Sequence, residues 1–212
     1  MKKILVGLIA CIPFVVAMSL YDIKLLLESK VIIIFLIGIV ASYYQADYNP
    51  LKGNNNDLDK GTVLQIIWTV YLTQALALLE AFFLNRENAF HYDAASMVFL
   101  SIAIFGVVFR SWAYITLGKF FTMHLQTKDD QTLVEGGPYR FLRHPSYTGA
   151  FLTYTAIPLF LGSYKSAVIA VILLLFAFYR RITLEEKMLE VHLGEKYRTF
   201  CSKRARLIPF IW

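Results

Sequence analysis

Apolar residues along this chain come in long runs separated by short polar segments, at positions 4–21 ("ILVGLIACIPFVVAMSLY"), 31–44, 62–84, 95–117, 147–162 and 165–180. A helix needs roughly 20 consecutive apolar residues to cross a bilayer core, so each run is a candidate span, the second and the last two being short. Pro158 followed by "LFLGSYKS" predicts a helical hairpin made of the last two runs, turning near Gly162 and Ser163, with spans that tilt or cross only partly. The fold expected is all-α: a polytopic integral membrane protein with about five or six transmembrane helices, including a C-terminal helical hairpin.

Composition narrows this further. With 58% hydrophobic, 16% aromatic and 17% charged residues among 212, the chain is too apolar for an ordinary soluble domain and has no room for a separate one. One membrane domain, 1–212, is expected, with plain apolar spans over 1–117 and a polar, motif-rich region over 118–212. Lys2 and Lys3 ahead of the first run have the look of a signal peptide, but the run is long and lacks an A-x-A cleavage site, so it is expected to stay as the first span.

The net charge of +6 is spread over loops and the C-terminal tail, not concentrated in a stripe, and nucleic acid is not an expected partner. If all six runs cross, loops on one side carry sixteen Lys and Arg residues and loops on the other carry four. Cytoplasmic loops are enriched in these residues, so both termini and the 118–146 segment are predicted to be cytoplasmic. Cys11 and Cys201 define neither a disulfide framework nor a CxxC site.

Candidate chemistry lies almost wholly after residue 118. "EGGPYRFLRHPSYTGAFLTY" (135–154) runs a polar, basic, turn-rich segment straight into an apolar helix. Its "GGPY" offers consecutive backbone amides in a turn, either to cradle a polar group or simply to precede a helix. Arg143 and His144 then stand before a proline that suits the first turn of a helix, where polar groups gather readily. In "YRRITLEEKMLEVHLGEKYRTF", Arg181, Glu185, Leu189 and His192 share a helix face, with Glu186 and Glu190 offset. Arg181 and Glu185 fit a surface ion pair or a site; Arg preceding Glu is the less favourable order for i,i+4 support.

Arg110 lies inside the fourth run, where a charge costs at least about 2.5 kcal/mol unless satisfied. It must face a polar interior or snorkel. Trp112, Tyr114, Phe120 and Phe121 around it fit an interfacial aromatic belt. The Asn- and Gly-rich stretch "NPLKGNNNDLDKG" (49–61) reads as a solvated linker. His91, His124, His144 and His192 have no metal-ligand spacing and HExxH is missing, so no metal is expected; GxGxxG, GxxxxGK[ST] and GxSxG are missing too.

Taken together, "LVEGGPYRFLRHPSYTGAF", an apolar hairpin, "RRITLEEKMLEVHLGEKYRTF" and a closing "LIPFI" closely resemble the isoprenylcysteine carboxyl methyltransferase family and its relatives among phospholipid N-methyltransferases, over about residues 110–212. The resemblance implies an S-adenosylmethionine pocket built by the C-terminal helices and a cytoplasmic loop, with S-adenosylhomocysteine as product. A lipophilic acceptor, an isoprenylcysteine carboxylate or something similar, would enter from the bilayer into a pocket shaped by the first four spans. By position, Gln126, Gln131, Thr132, Leu133, Val134, Tyr139, His144, Pro145, Ser146 and Tyr147 are implied cofactor contacts, Glu185 the receiver of the donor's amino group, and Arg181 the ligand of the acceptor carboxylate.

A carboxylate acceptor, with a pKa of about 3.5, is already ionised at neutral pH and needs no base. An amine acceptor would need one, with Glu186 or His192 as candidates. Other readings are a lipid-amine N-methyltransferase, an NADPH-dependent membrane sterol-type reductase with similar "RHPSYTG" and "KYRTFCSKRARLIPFIW" segments, and a non-enzymatic protein whose basic loops bind anionic lipids. "GGPY" and "RRITLEE" favour methyl transfer.

Overall fold

The computed structural model describes residues 23–44, 59–122, 125 and 132–208. The expected first span, most of the 49–61 linker, Gln126 and Gln131 lie outside the described residues. A 3-10 turn at Ile23–Leu27 leads into α1 (Ser29–Tyr43), followed by α2 (Thr62–Phe83), α3 (Ala94–Leu117), α4 (Pro145–Phe160), α5 (Tyr164–Leu193) and α6 (Glu195–Ser202). A single helical turn at Arg86–Ala89 joins α2 to α3, and short 3-10 turns at Gly118–Phe120 and Gly137–Arg140 lie between α3 and α4.

Three of these helices, α2, the Ala94–Phe120 stretch and α5, are long and apolar enough to cross a membrane. The bundle is built as that environment requires, with small residues inside and large apolar residues outside. Helix contacts are lined by Ala77, Ala81, Ala103, Ala113, Ala150, Ala156, Ala170 and Ala177, all at most 4% exposed, because small side chains let helix backbones approach closely where apolar burial offers no drive. Trp68, Phe105, Ile172 and Phe176 point outward. The chain is a multi-pass integral membrane protein.

The tightest approach is between α3 and α4. A Cβ on Gly149 would lie 2.6 Å from Gly106 O and 2.7 Å from Arg110 N, and one on Gly106 would lie 2.7 Å from Gly149 O. Only a glycine pair allows this crossing. α5 packs on α2 and α4, and α1 rests on α3.

The α4–α5 hairpin turns at Gly162 and Ser163 as the sequence predicts, but its second arm does not stop near residue 180. α5 runs on for 30 residues to Leu193, roughly 45 Å at 1.5 Å per residue. Between Tyr164 and Leu193 there is no Gly or Pro to end it. The charged "RRITLEE" segment therefore rides on the same rod as the apolar span.

Polar anchors fix the hairpin's turn. Lys30 Nζ donates to Phe160 O at 2.9 Å, a cation at the carbonyl end of α4. Glu80 accepts from Lys165 N, Ser166 N and Ser166 Oγ, capping α5 from a neighbouring helix. Ser163 Oγ donates to Ala77 O at 2.7 Å, and Asn85 Nδ2 to Gly162 O at 3.1 Å. The opposite end of the bundle gathers the start of α2, the end of α3, the start of α4 and the C-terminal part of α5, and the candidate chemistry lies there.

Candidate active site

Entry into α4 follows the sequence closely. His144 is the residue before the helix and Pro145 its first residue, where a missing N–H costs nothing. Gly137 starts the 3-10 turn with φ +53°, a conformation that favours glycine, and a Cβ there would lie 2.7 Å from Thr116 Oγ1. The "GGPY" turn is thus pressed against the end of α3. It buries the ring of Tyr139, whose phenol is pushed up by burial and then by the Glu185 carboxylate.

Arg110 resolves toward the interior. Its Nη1 donates to Ser146 O at 3.0 Å and to Ser146 Oγ at 3.1 Å, tying α3 to the first turn of α4. It does not rely on reaching the membrane surface for a partner.

Two charged clusters lie side by side on α5. In the first, Tyr147 OH donates to Glu185 Oε2 at 2.9 Å and accepts from Arg181 Nε at 3.2 Å. Arg181 is 3% exposed. Its Nη1 also pairs with Asp59 and donates to Thr62 Oγ1 at 3.2 Å. Glu185 is half-buried, and its other oxygen, Oε1, lies 4.0 Å from His144 Nδ1, beyond hydrogen-bond reach. Among the described residues, Oε2 is held by the Tyr147 hydroxyl, while Oε1 faces the His144 ring at that longer distance.

In the second cluster, Glu186 Oε1 accepts from Arg143 Nη1 at 2.9 Å and meets His144 Nε2 at 3.1 Å, while Oε2 accepts from Arg206 Nε at 2.9 Å and Nη2 at 2.7 Å. The C-terminal segment is stitched to the same loop by a Leu142–Ala205 bridge and by Arg143 N to Ala205 O at 2.8 Å and His144 N to Arg206 O at 3.1 Å. Thr148 Oγ1 donates to Leu207 O at 2.8 Å. Glu186 is a structural hub of this end, and as the base suggested for an amine acceptor it is fully engaged by cations. His192, the other suggested base, is exposed on the last turn of α5.

Of the residues singled out in the sequence, Tyr139, His144, Pro145, Ser146, Tyr147, Arg181 and Glu185 come together at this end. Thr132 is exposed, Leu133 and Val134 are half-buried, and among the described residues no hydrogen bond or ion pair joins these three to the cluster. Asp59 was missed. It falls at the end of a stretch that reads as linker, and the available signal was Arg181 itself, a cation bound for a helix interior and in need of a carboxylate.

Comparison with known proteins bears on the whole chain. Residues 98–191 match the model of the isoprenylcysteine carboxyl methyltransferase (ICMT) family. A probable protein-S-isoprenylcysteine O-methyltransferase of Oryza sativa subsp. indica is 32% identical over 122 residues, covering 57% of this chain and 64% of the rice protein. The match thus spans a little under two thirds of that relative's length. The protein-S-isoprenylcysteine O-methyltransferase of Saccharomyces cerevisiae is 30% identical over 189 residues, covering 85% of this chain and 78% of the yeast protein. A solved structure of the eukaryotic intramembrane Ras methyltransferase ICMT shares the fold, with a TM-score of 0.61 at 21% identity over 99% of this chain and 86% of that one. With the yeast match extending over most of both proteins and the family pattern spanning α3 to α5, the chain belongs to the isoprenylcysteine carboxyl methyltransferase family.

Proposed function

We propose that this protein is an S-adenosylmethionine-dependent membrane methyltransferase that methyl-esterifies the carboxylate of an isoprenylcysteine or a similar lipophilic acceptor. One observation carries the reading. Glu185 and Arg181, one helical turn apart on α5 and opposite in charge, are bridged by the single hydroxyl of Tyr147 at the end of the bundle. A carboxylate suited to an ammonium and a guanidinium suited to a carboxylate are thereby held in fixed relation. The relatives' names support the same acceptor class.

The residues present fit the donor. Glu185 is a half-buried carboxylate whose Oε1 lies 4.0 Å from His144 Nδ1, chemistry suited to an ammonium group, and Tyr139 is a neutral phenol able to donate at physiological pH. Glu185, Tyr147, Tyr139 and the buried His144–Ser146 turn would hold it, and the family resemblance implies Gln126, Gln131 and Thr132 to Val134 as further contacts. When bound, the sulfonium supplies an electrophilic methyl group to the acceptor oxygen, and its carbon–sulfur electron pair stays on sulfur. Arg181 orients the acceptor carboxylate, which is already ionised and gives up no proton. Catalysis on this reading is alignment and exclusion of water, the work of a rigid bundle end. The basic residues of this end, Arg143, Arg206, Arg204 and Arg198 among them, favour the cytoplasmic side, and a lipid tail would approach from the bilayer.

An amine acceptor is less well served, because Glu186 is engaged by Arg143, His144 and Arg206. The test is calorimetric titration of detergent-purified protein with S-adenosylhomocysteine, with NADPH in parallel, followed by radiolabelled methyl transfer to N-acetyl-S-farnesylcysteine. Saturable binding of the homocysteine nucleoside and base-labile label on the acceptor are expected. NADPH binding alone would replace this reading with a reductase.

A further inference from the structure

Asp59 stands just ahead of α2, and its side chain is as enclosed as that of Arg181, the two residues being 4% and 3% exposed. Its Oδ1 pairs with Arg181 Nη1 and accepts from Leu125 N at 2.8 Å. The Asp59 carbonyl accepts from both Thr62 N and Thr62 Oγ1 at 2.8 Å, and that hydroxyl oxygen accepts from Arg181 Nη1 at 3.2 Å. The backbone that delivers Asp59 is unusual. Lys60 has φ +42° and Gly61 φ +71°, two consecutive left-handed residues, and Lys60 alone among the described non-glycine residues has positive φ. A long side chain in that region is strained, and such strain persists where surrounding contacts over-determine it.

Two roles fit a carboxylate on the proposed acceptor arginine. Asp59 either occupies the acceptor's seat until displaced or holds the arginine permanently. Displacement would break the buried Asp59–Arg181 pair, and breaking a buried ion pair is strongly unfavourable. As affinity, the penalty is on the order of a hundredfold or more, charged to every acceptor that binds. The Leu125 amide holds the Asp59 carboxylate, and the two Thr62 bonds to the Asp59 carbonyl fix the backbone that carries it. Permanent support is the arrangement these contacts favour.

We infer that Asp59 is a positioning residue of the methyl-transfer site, fixing the Arg181 guanidinium in the orientation from which it aligns the acceptor carboxylate. The inference rests on the reading that Arg181 receives the acceptor. With Asp59 compensating its charge, Arg181 supplies direction more than net attraction, and acceptor affinity must come largely from the lipid tail. Asp59 also links the start of α2 and the chain at Leu125, the residue before Gln126 in sequence, to α5.

The experiment uses the full chain in detergent and the substitution Asp59→Asn, which keeps shape and an acceptor for the Leu125 amide but removes the charge. Measured together are the S-adenosylhomocysteine Kd by calorimetry, and KM and kcat for N-acetyl-S-farnesylcysteine. Expected is an acceptor KM raised about tenfold or more with donor Kd within about threefold of wild type. An acceptor KM that falls would overturn the inference in favour of a displaceable latch, and unchanged kinetics would overturn it in favour of a purely structural ion pair. Should Asp59→Asn fail to fold, Asp59→Glu decides, because it keeps the charge and moves the carboxylate by one methylene: a KM raised severalfold with unchanged donor titration supports the role, and a wild-type KM overturns it. Wild-type protein that binds no S-adenosylhomocysteine sinks the methyltransferase reading and this role with it, whereas active wild type beside indifferent variants sinks this role alone.

Discussion

The hydroxyl of Tyr147 lies 2.9 Å from Glu185 Oε2 and is the only group among the described residues that touches both Glu185 and Arg181 through hydrogen bonds. Hydrogen bonds to charged groups contribute about 1.5–3 kcal/mol each, so one oxygen orients two ions of opposite sign. Tyr147→Phe keeps the ring against Phe178 and deletes both bonds. Its kcat/KM for methyl transfer is expected to fall about 10- to 100-fold, with S-adenosylhomocysteine binding weakened and acceptor KM raised together. A wild-type donor titration in this variant would remove Tyr147 from the donor side.

Single substitutions on either side of that hydroxyl should separate the two substrates. Glu185→Gln removes the charge facing an ammonium and should weaken S-adenosylhomocysteine by about 10-fold or more. Arg181→Lys keeps a cation beside Asp59, which avoids an uncompensated buried carboxylate, but loses the planar fork. It should raise acceptor KM while changing donor affinity little. Steady-state rates varied in each substrate separately read the split, and an inverted pattern would exchange the two roles.

Glu186 predicts a mechanical effect instead. It gathers Arg143, His144 and Arg206, and breaking a buried ionic hub costs about 3–5 kcal/mol because the remaining charges lose compensation. Glu186→Ala should loosen the 204–207 segment from the Leu142–His144 loop. Limited trypsin digestion should then cut at Arg204 and Arg206 several times faster than in wild type. Unchanged digestion would mean that the Leu142–Ala205 bridge and the Thr148 bond suffice alone.

Much of this was legible in the sequence where the signal is local. Apolar run length gave the helices α1 to α5, Pro145 gave the start of α4, and the "LFLGSYKS" turn gave the hairpin, because each depends on a few adjacent residues. The reach of α5 to Leu193 was underestimated, since a change from apolar to charged residues marks the edge of a span but does not stop a helix. Asp59 and the cationic partners that make Glu186 a hub were not legible. Both depend on partners far along the chain: Asp59 on Arg181, and Glu186 on Arg143 and Arg206. Arg110 lay between, its charge visible and its partner, Ser146, not.

The Gly106–Gly149 crossing supplies a test of the scaffold apart from the chemistry. A methyl group on Gly149 would sit at 2.6 Å from Gly106 O and 2.7 Å from Arg110 N, both backbone atoms that cannot swing aside. Overpacking of this kind typically costs about 1–3 kcal/mol. Gly149→Ala should lower the apparent melting temperature in detergent and disturb the Arg110–Ser146 bond that seats the start of α4. An unchanged melting curve would mean the helices can part at no cost, contrary to this tight crossing.

Alkaline stability offers a further test through Tyr139. Its phenol is buried beside the Glu185 carboxylate, and both effects raise its pKa above the ordinary value of about 10. A raised folded-state pKa means that the folded chain keeps a proton the unfolded chain has released. Its contribution is fully present below pH 10 and is lost as pH rises above it, by about 1.4 kcal/mol per pH unit. Tyr139→Phe has no proton to lose, so above pH 10 its apparent melting temperature should fall less steeply than that of wild type, while near neutrality the difference reflects only the lost hydroxyl. Parallel alkaline limbs in the two proteins would show that the phenol titrates freely in the folded state, and with that the enclosed, neutral Tyr139 assigned to the donor pocket would have to be abandoned.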